Sequence, residues 1–295
     1  MSAYGHPREH RFQGSQVELA WYEWGEAPHP KVLLVHATGF HARCWDQVVA
    51  HLPPGFHILA VDLRGHGRST KRGPYVWSSF LADLEEFAAA LSLAGAVGVG
   101  HSLGGHCITQ LAARRPGAFD RLVLVDPVIL DPEAYARPRY ADLQSAEDHP
   151  VARRRDHWAG WEEMFERFSS RKPFSRWRPQ VLEDYCRHGL EPRAEGGWRL
   201  ACPPVVEASI YLGNKGSDVY GMLHDVDVPV AVLRAPGRDP DDHDIMDFSK
   251  SPTWPELADR FPRGRDVFLP RLDHFIPMQA PELVARFITD GDADP

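Results

Sequence analysis

Ser102 lies in Val97-Gly98-Val99-Gly100-His101-Ser102-Leu103-Gly104-Gly105, a short apolar run leading straight into Gly-x-Ser-x-Gly. A serine at the tip of a sharp strand-to-helix turn projects its Oγ from the backbone. There a base can reach it from one side and a substrate carbonyl from the other. Such a turn crowds the positions two before and two after the serine, so both favour glycine, and here they are Gly100 and Gly104. Ala96 to Val99 is apolar, and Cys107, Ile108, Leu111 and Ala112 follow at helical spacing. The chemistry this pattern serves is attack of a serine on an acyl carbon.

Three further segments could complete such a site. His36-Ala37-Thr38-Gly39-Phe40 to Trp45 follows a buried-type strand, where a loop can aim a backbone N–H at the oxyanion formed when serine attacks a carbonyl. Asp62-Leu63-Arg64-Gly65-His66-Gly67-Arg68-Ser69 follows the next strand, and Leu272-Asp273-His274-Phe275-Ile276-Pro277 follows the last.

The elements that must position these segments alternate between strand and helix. Val32 to Val35, Ile58 to Val61 and Leu122 to Val125 are unbroken apolar runs, as expected of parallel strands buried on both faces. Val17 to Trp24 alternates like an edge strand, and Val228 to Leu233 and Asp266 to Leu269 are two later strands. Helical spacing marks Trp45 to Leu52, Phe80 to Leu91 and Pro281 to Ile288. This order predicts a doubly wound α/β sheet. One interruption, between Asp126 and Val228, differs in texture. It holds Arg153-Arg154-Arg155, Trp158, Trp161, Phe165, Phe168, Phe174, Trp177 and Trp198, with helical periodicity around Trp161 to Phe168 and Val181 to His188. It reads as a helical cap over residues 130–225, inserted into a core of residues 1–129 and 226–295. The arginines read as a solvated helical face, with recognition of a substrate carboxylate as the alternative. The aromatics read as cap packing, with some of them, Trp161 and Trp177 foremost, lining a pocket together with Phe40.

With these residues in view, the chain resembles the α/β-hydrolase-fold enzymes over nearly everything except the cap. Gly100 to Gly104 is similar to the family's nucleophile elbow, and Asp62 to Ser69 to its Asp-x-Arg-Gly-x-Gly-x-Ser segment. His274-Phe275-Ile276-Pro277-Met278-Gln279-Ala280-Pro281-Glu282 is similar to the segment carrying its catalytic histidine. The resemblance implies an α/β-hydrolase fold, a mostly parallel sheet with an inserted helical cap, and a Ser102–acid–His274 triad. It assigns the oxyanion donors to the N–H groups of Thr38 and Leu103, with Phe40 as the alternative because Ala37 stands where the family usually has glycine. It also implies an acid in the loop after Val228 to Leu233. Counting forward from that strand favours Asp239, and counting back from His274 favours Asp247. Asp126, after the preceding strand, is a third candidate. Asp239 is preferred because a residue near a strand end is held more rigidly than one deep in a loop. Asp241, Asp242 and Asp244 read as solvated loop carboxylates.

The aspartates do not make a calcium loop, since Asp244 and Lys250 stand where glycine and glutamate are needed. His36, His66 and His101 lack metal-ligand spacing and read as loop-packing residues. No cofactor motif and no metal site is expected. The net charge of −8 over 295 residues argues against a nucleic-acid partner. No apolar run approaches the ~20 residues of a membrane span. The first ten residues lack the core of a signal peptide, and the four cysteines lack redox or metal spacing, so a cytoplasmic location with free thiols is expected. A homo-oligomer is compatible with the sequence but not indicated by it.

The expected activity is hydrolysis of a carboxylic ester or lactone of a small, apolar or aromatic molecule. A serine nucleophile argues against the family's dehalogenases and epoxide hydrolases, which need a carboxylate there. The same triad would serve hydrolysis of a carbon–carbon bond in a β-diketone or dienoate. A non-catalytic ligand receptor on this fold is the alternative from another class, but it has no need of both Ser102 and His274.

Overall fold

The structure is a computed structural model that describes residues 2–136, 143–214, 219–239, 247–291 and 293. Its first part runs β1 (Arg8–Gln13), β2 (Glu18–Trp24), β3 (Lys31–Val35), α1 (Asp46–Ala50), β4 (His57–Val61), α2 (Trp77–Ala90), β5 (Ala96–His101), α3 (Leu103–Arg114) and β6 (Phe119–Val125). A second part holds α4 (Pro132–Ala136), β7 (His157–Trp158), α5 (Trp161–Ser169), α6 (Pro179–His188), β8 (Leu190–Pro192), β9 (Trp198–Leu200) and α7 (Pro204–Leu212). The chain closes with β10 (Val230–Arg234), β11 (Gly264–Phe268), α8 (Ile276–Gln279) and α9 (Pro281–Thr289).

One eight-stranded sheet, in the order β1-β2-β4-β3-β5-β6-β10-β11, carries the fold. β1 and β2 pair antiparallel, as do β2 and β4, and every other neighbouring pair is parallel. The alternation of side chains along a strand sends successive residues to opposite faces. Leu33 and Val35 of β3 accordingly join one core with Phe80, Leu84, Leu103, Ile108 and Leu111, from α2 and α3. Val32 and Leu34 join the other with Trp45, Val48, Val49, Val284 and Phe287, from the α1 region and α9. Both faces of the sheet are therefore covered, which is why its central strands read as continuous apolar runs. The α/β-hydrolase architecture follows.

Two features differ from the sequence expectation. Val17 to Trp24 is not the edge, because β1 pairs outside it from Arg8↔Glu23 to Gln13↔Glu18. β1, Arg-Glu-His-Arg-Phe-Gln, has mostly exposed or partly exposed side chains, so it carries no hydrophobic pattern. Charge on an edge strand also discourages pairing with other chains. Between β6 and β10, a three-stranded antiparallel sheet, β7-β9-β8, accompanies the helices. Strands of two or three residues are too short for periodicity to reveal. Among the described residues no helix is long and apolar enough to cross a membrane.

Candidate active site

The turn between β5 and α3 holds Ser102 at φ 56°, in the left-handed region that a side chain rarely adopts. Three backbone hydrogen bonds hold it there: Ser102 N to Val125 O at 3.1 Å, His106 N to Ser102 O at 3.2 Å and Val128 N to Ser102 O at 3.0 Å. The flanking glycines are steric necessities. A Cβ on Gly100 would lie 2.3 Å from Gly104 O, and one on Gly104 would lie 2.1 Å from Val35 O. Ser102 is thereby driven out of the end of the sheet, with its Oγ 3.0 Å from His274 Nε2.

His274 follows β11 and is fixed through its backbone. Its N–H donates to Ser249 O at 2.8 Å, and its carbonyl is 2.8 Å from His101 Nε2, which gives His101 a structural role. Burial and the adjacent His274 push the His101 pKa well below the ordinary range, so His101 is neutral and donates that bond. On the far side of the His274 ring, Nδ1 lies 2.6 Å from Asp126 Oδ2. With Nδ1 donating to the carboxylate, Nε2 presents its lone pair to the Ser102 hydroxyl.

The carboxylate against the histidine is Asp126, not Asp239. Asp126 follows β6 and is fully buried. Its Oδ1 accepts from Ala235 N at 2.9 Å, Ser251 Oγ at 2.7 Å and Thr253 Oγ1 at 3.3 Å, so the carboxylate is solvated by the protein. Asp239 is exposed in the loop after β10. Asp247 lies nearer, but its carboxylate turns onto Ser249, accepting from N at 2.9 Å and Oγ at 2.5 Å. Burial opposes its ionisation, but these Ser249 hydrogen bonds outweigh that and hold its pKa below the usual carboxylate range. Asp241, Asp242 and Asp244 lie outside the described residues. Nearness to a strand end was a sound criterion applied to the wrong strand. β6 and β10 are neighbours in parallel register, so either end reaches the site.

The two backbone donors assigned from sequence are the N–H groups of Leu103 and Thr38. Leu103 N is the first amide of α3, where unpaired N–H groups and the helix dipole favour negative charge. Thr38 sits in the loop after β3 and, like Ser102, lines the cavity. Among the described residues neither N–H is donated to another protein group, whereas Phe40 N is committed to Ala37 O at 3.2 Å. The next segment locks this loop in place. Gly39 N donates to His66 Nε2 at 3.0 Å, Ala42 N to Asp62 Oδ1 at 2.6 Å, and Leu63 N to His36 Nε2 at 3.0 Å. His36 and His66 thus act as buried hydrogen-bond acceptors between the loops.

Ser102 and His274 open into a cavity of about 1230 Å³ beneath the elements inserted after β6. Phe40 and Trp177 line it, as the sequence leads one to expect, with Trp158, Phe174 and Tyr185. Trp161 is not among the lining residues; it packs at the edge of the cap cluster with Arg187 over its ring at 4.0 Å. Arg154 and Glu207 were not legible as a pair. They meet in a close ion pair on the cavity wall, and the Glu207 carboxylate lies against the loop after β3 at Gly39, where a Cβ would lie 2.7 Å from Oε1. An isolated glutamate on a helix carries no sequence signal of that contact. Among the described residues, Asp46, Asp184 and His188 are the group whose atoms could converge on a metal ion. None of the three lines the cavity, and Asp46 is already bound to Arg43 at 2.5 Å.

A model described as the alpha/beta hydrolase family matches residues 32–287. Lipase LipV of Mycobacterium tuberculosis is 31% identical over 198 residues, covering 64% of this chain and 69% of that protein. The bifunctional esterase/perhydrolase DCH of Acinetobacter calcoaceticus is 24% identical over 92% of this chain and 94% of its own. Other relatives match over shorter stretches; of a non-heme chloroperoxidase of Streptomyces lividans the chain spans 42%. Among solved structures, E-2-(acetamidomethylene)succinate hydrolase superposes with a TM-score of 0.76 at 22% identity, covering 98% of this chain and 100% of that one.

Proposed function

This chain belongs to the α/β-hydrolase family, and on that premise we propose that it hydrolyses a carboxylic ester or lactone through an acyl-enzyme on Ser102. Its relatives include a lipase, an esterase/perhydrolase and a methyl ester esterase, which supports hydrolysis as the reaction class. The observation that carries the finer reading is the continuous line Asp126 Oδ2–His274 Nδ1 at 2.6 Å and His274 Nε2–Ser102 Oγ at 3.0 Å, ending in a cavity.

The steps follow from that line. As Ser102 Oγ bonds to the substrate carbonyl carbon, its proton passes to His274 Nε2, and Asp126 holds the resulting imidazolium. The carbonyl π pair moves onto oxygen, where the N–H groups of Thr38 and Leu103 receive the charge. When the pair returns, the carbon–oxygen bond to the leaving group breaks and His274 gives its proton to the departing oxygen. Water then repeats the sequence on the acyl-enzyme, with His274 taking its proton, and Ser102 regains its hydrogen as the acid departs. The cavity wall of Phe40, Trp158, Phe174 and Trp177 suits an apolar or aromatic portion of the substrate.

The test is hydrolysis of a panel of para-nitrophenyl esters and aliphatic lactones by the wild type and by Ser102→Ala, with a fluorophosphonate probe. Labelling at Ser102 and a loss on the order of 10⁴-fold or more in kcat for the variant are expected. Retention of a tenth of wild-type activity by Ser102→Ala would remove this serine from the mechanism.

A further inference from the structure

The chain carries a net charge of −8, yet the cavity above Ser102 has a cationic wall. Arg155, Arg167, Arg171, Lys172, Arg176 and Lys250 all line it. Two of them are matched: Arg176 pairs with Asp273 at 2.8 Å and Arg155 with Glu163 at 2.5 Å. Arg167, Arg171, Lys172 and Lys250 make no ion pair and no side-chain hydrogen bond with any described residue. Arg167 and Lys250 act on Glu163 and Asp247 only at longer range.

The acids of the wall do not offset this excess. Glu207 is taken by Arg154, Asp273 by Arg176, and Asp247 turns its carboxylate onto Ser249. Arg167, Arg171 and Lys172 come from the end of α5 and the turn after it, and Lys250 from the loop after β10. Cations from two separated segments thus converge on one cavity whose floor is the reactive serine. A cleft lined by one sign of charge concentrates ligands of the other sign. At about 1230 Å³ the cavity exceeds the ~300–1000 Å³ of an ordinary small-ligand pocket, leaving room for a substrate that reaches from Ser102 to the mouth.

We propose that this wall selects acyl substrates carrying an anionic oxygen group, a carboxylate or a phosphate, at a distance from the scissile bond. The inference rests on the acyl-hydrolase reading above. It goes beyond that reading by giving the substrate a charged end as well as an apolar one, with Arg167, Arg171, Lys172 and Lys250 receiving the anion.

The experiment compares matched pairs: para-nitrophenyl hemiglutarate against para-nitrophenyl valerate, and butyryl phosphopantetheine against butyryl pantetheine. In the wild type, kcat/KM for the charged member of at least one pair should exceed that for the neutral member by about tenfold, the worth of one to two exposed charge contacts. Whichever pair shows the greater ratio identifies carboxylate or phosphate. The ratio should collapse between about 0.01 M and about 1 M salt, as the screening length falls from about 30 Å to about 3 Å. It should also fall toward one in the triple variant Arg167→Gln/Arg171→Gln/Lys172→Gln, and in part in Lys250→Gln, with folding checked by thermal melts. A wild type that cleaves the neutral esters with ratios near one, unmoved by salt or by these substitutions, overturns the inference and leaves the acyl-hydrolase reading standing. If no ester or thioester is cleaved, that reading fails and binding decides. Ser102→Ala protein is then titrated calorimetrically with glutarate, dimethyl glutarate and phosphopantetheine. Binding of an anion but not of the neutral diester, lost in the triple variant, sustains the cationic site; no anion binding overturns it.

Discussion

Asp126 and His274 stand 148 positions apart in the chain, yet Asp126 Oδ2 lies 2.6 Å from His274 Nδ1. The carboxylate is fixed from the other side by Ala235 N, Ser251 Oγ and Thr253 Oγ1, so it cannot turn away from the ring. A histidine whose Nδ1–H is bound in this way presents Nε2 to the serine in one tautomer.

Asp126→Asn should therefore cost about 10⁴ in kcat, the typical penalty when an amide replaces the orienting carboxylate of a serine triad. Asp239→Asn and Asp247→Asn should stay within a few-fold of wild type, because neither carboxylate bonds to His274. Steady-state kinetics on one activated ester, with melts to confirm folding, decides this. An inactive Asp239→Asn beside a normal Asp126→Asn would reverse the assignment.

Trp177 and Trp161 should separate pocket from packing. Trp177 lines the cavity and packs on Phe40 at 5.7 Å between ring centroids, whereas Trp161 lies outside the lining. Trp177→Ala should shift the kcat/KM ratio of bulky to short acyl esters by about tenfold, the scale of a reshaped apolar pocket. Trp161→Ala should lower the melting temperature and leave that ratio alone. Equal effects of both substitutions on the ratio would refute the distinction.

The Arg154–Glu207 pair should be costly to break from one side. Glu207 is buried, so Arg154→Met leaves its carboxylate without an ion-pair partner, at a cost of about 3 kcal/mol in unfolding free energy. Arg154→Met/Glu207→Leu should recover most of that loss. Chemical denaturation of these two variants and of Glu207→Leu measures the coupling, and additive effects would show that the pair does not act as a unit.

Asp184 gives the stability a pH dependence whose sign is fixed. Burial, then the charge of Asp46, pushes its carboxyl up to about 7, from 3.8. Between those values the folded protein holds a proton that the unfolded chain has released. This contribution is fully present below the unfolded value and is lost as pH rises toward 7. Asp184→Asn, which keeps the side-chain oxygen that Gln47 Nε2 donates to, should be more stable than wild type at pH about 8, on the order of 2 kcal/mol after solvent screening. At pH about 4 the two should melt alike. Parallel curves of melting temperature against pH would exclude the effect.

Much of the fold was legible because its signals are local. A parallel strand covered on both faces must be apolar throughout, so β3, β4 and β6 announce themselves in four or five residues. β1 was silent because a charged edge strand buries little, and β7 to β9 because strands of two or three residues are too short to show a period. The cap tryptophans have the same difficulty: Trp161 and Trp177 are alike in sequence, and only packing turns one of them to the cavity.

The same division runs through the site. Ser102 could be read from the sequence because the crowding that demands Gly100 and Gly104 acts within five residues. The His274 segment was recognisable by its family pattern. The acid was not, because a carboxylate is chosen by where it meets the imidazole, and several aspartates follow strands that end at the same edge of the sheet. Residue type and spacing thus pointed to Ser102, to His274 and to the layers that carry them. The partner of His274 was decided in three dimensions, where parallel pairing of β6 with β10 brings Asp126 against Ala235, Ser251 and His274, while Asp239 is exposed.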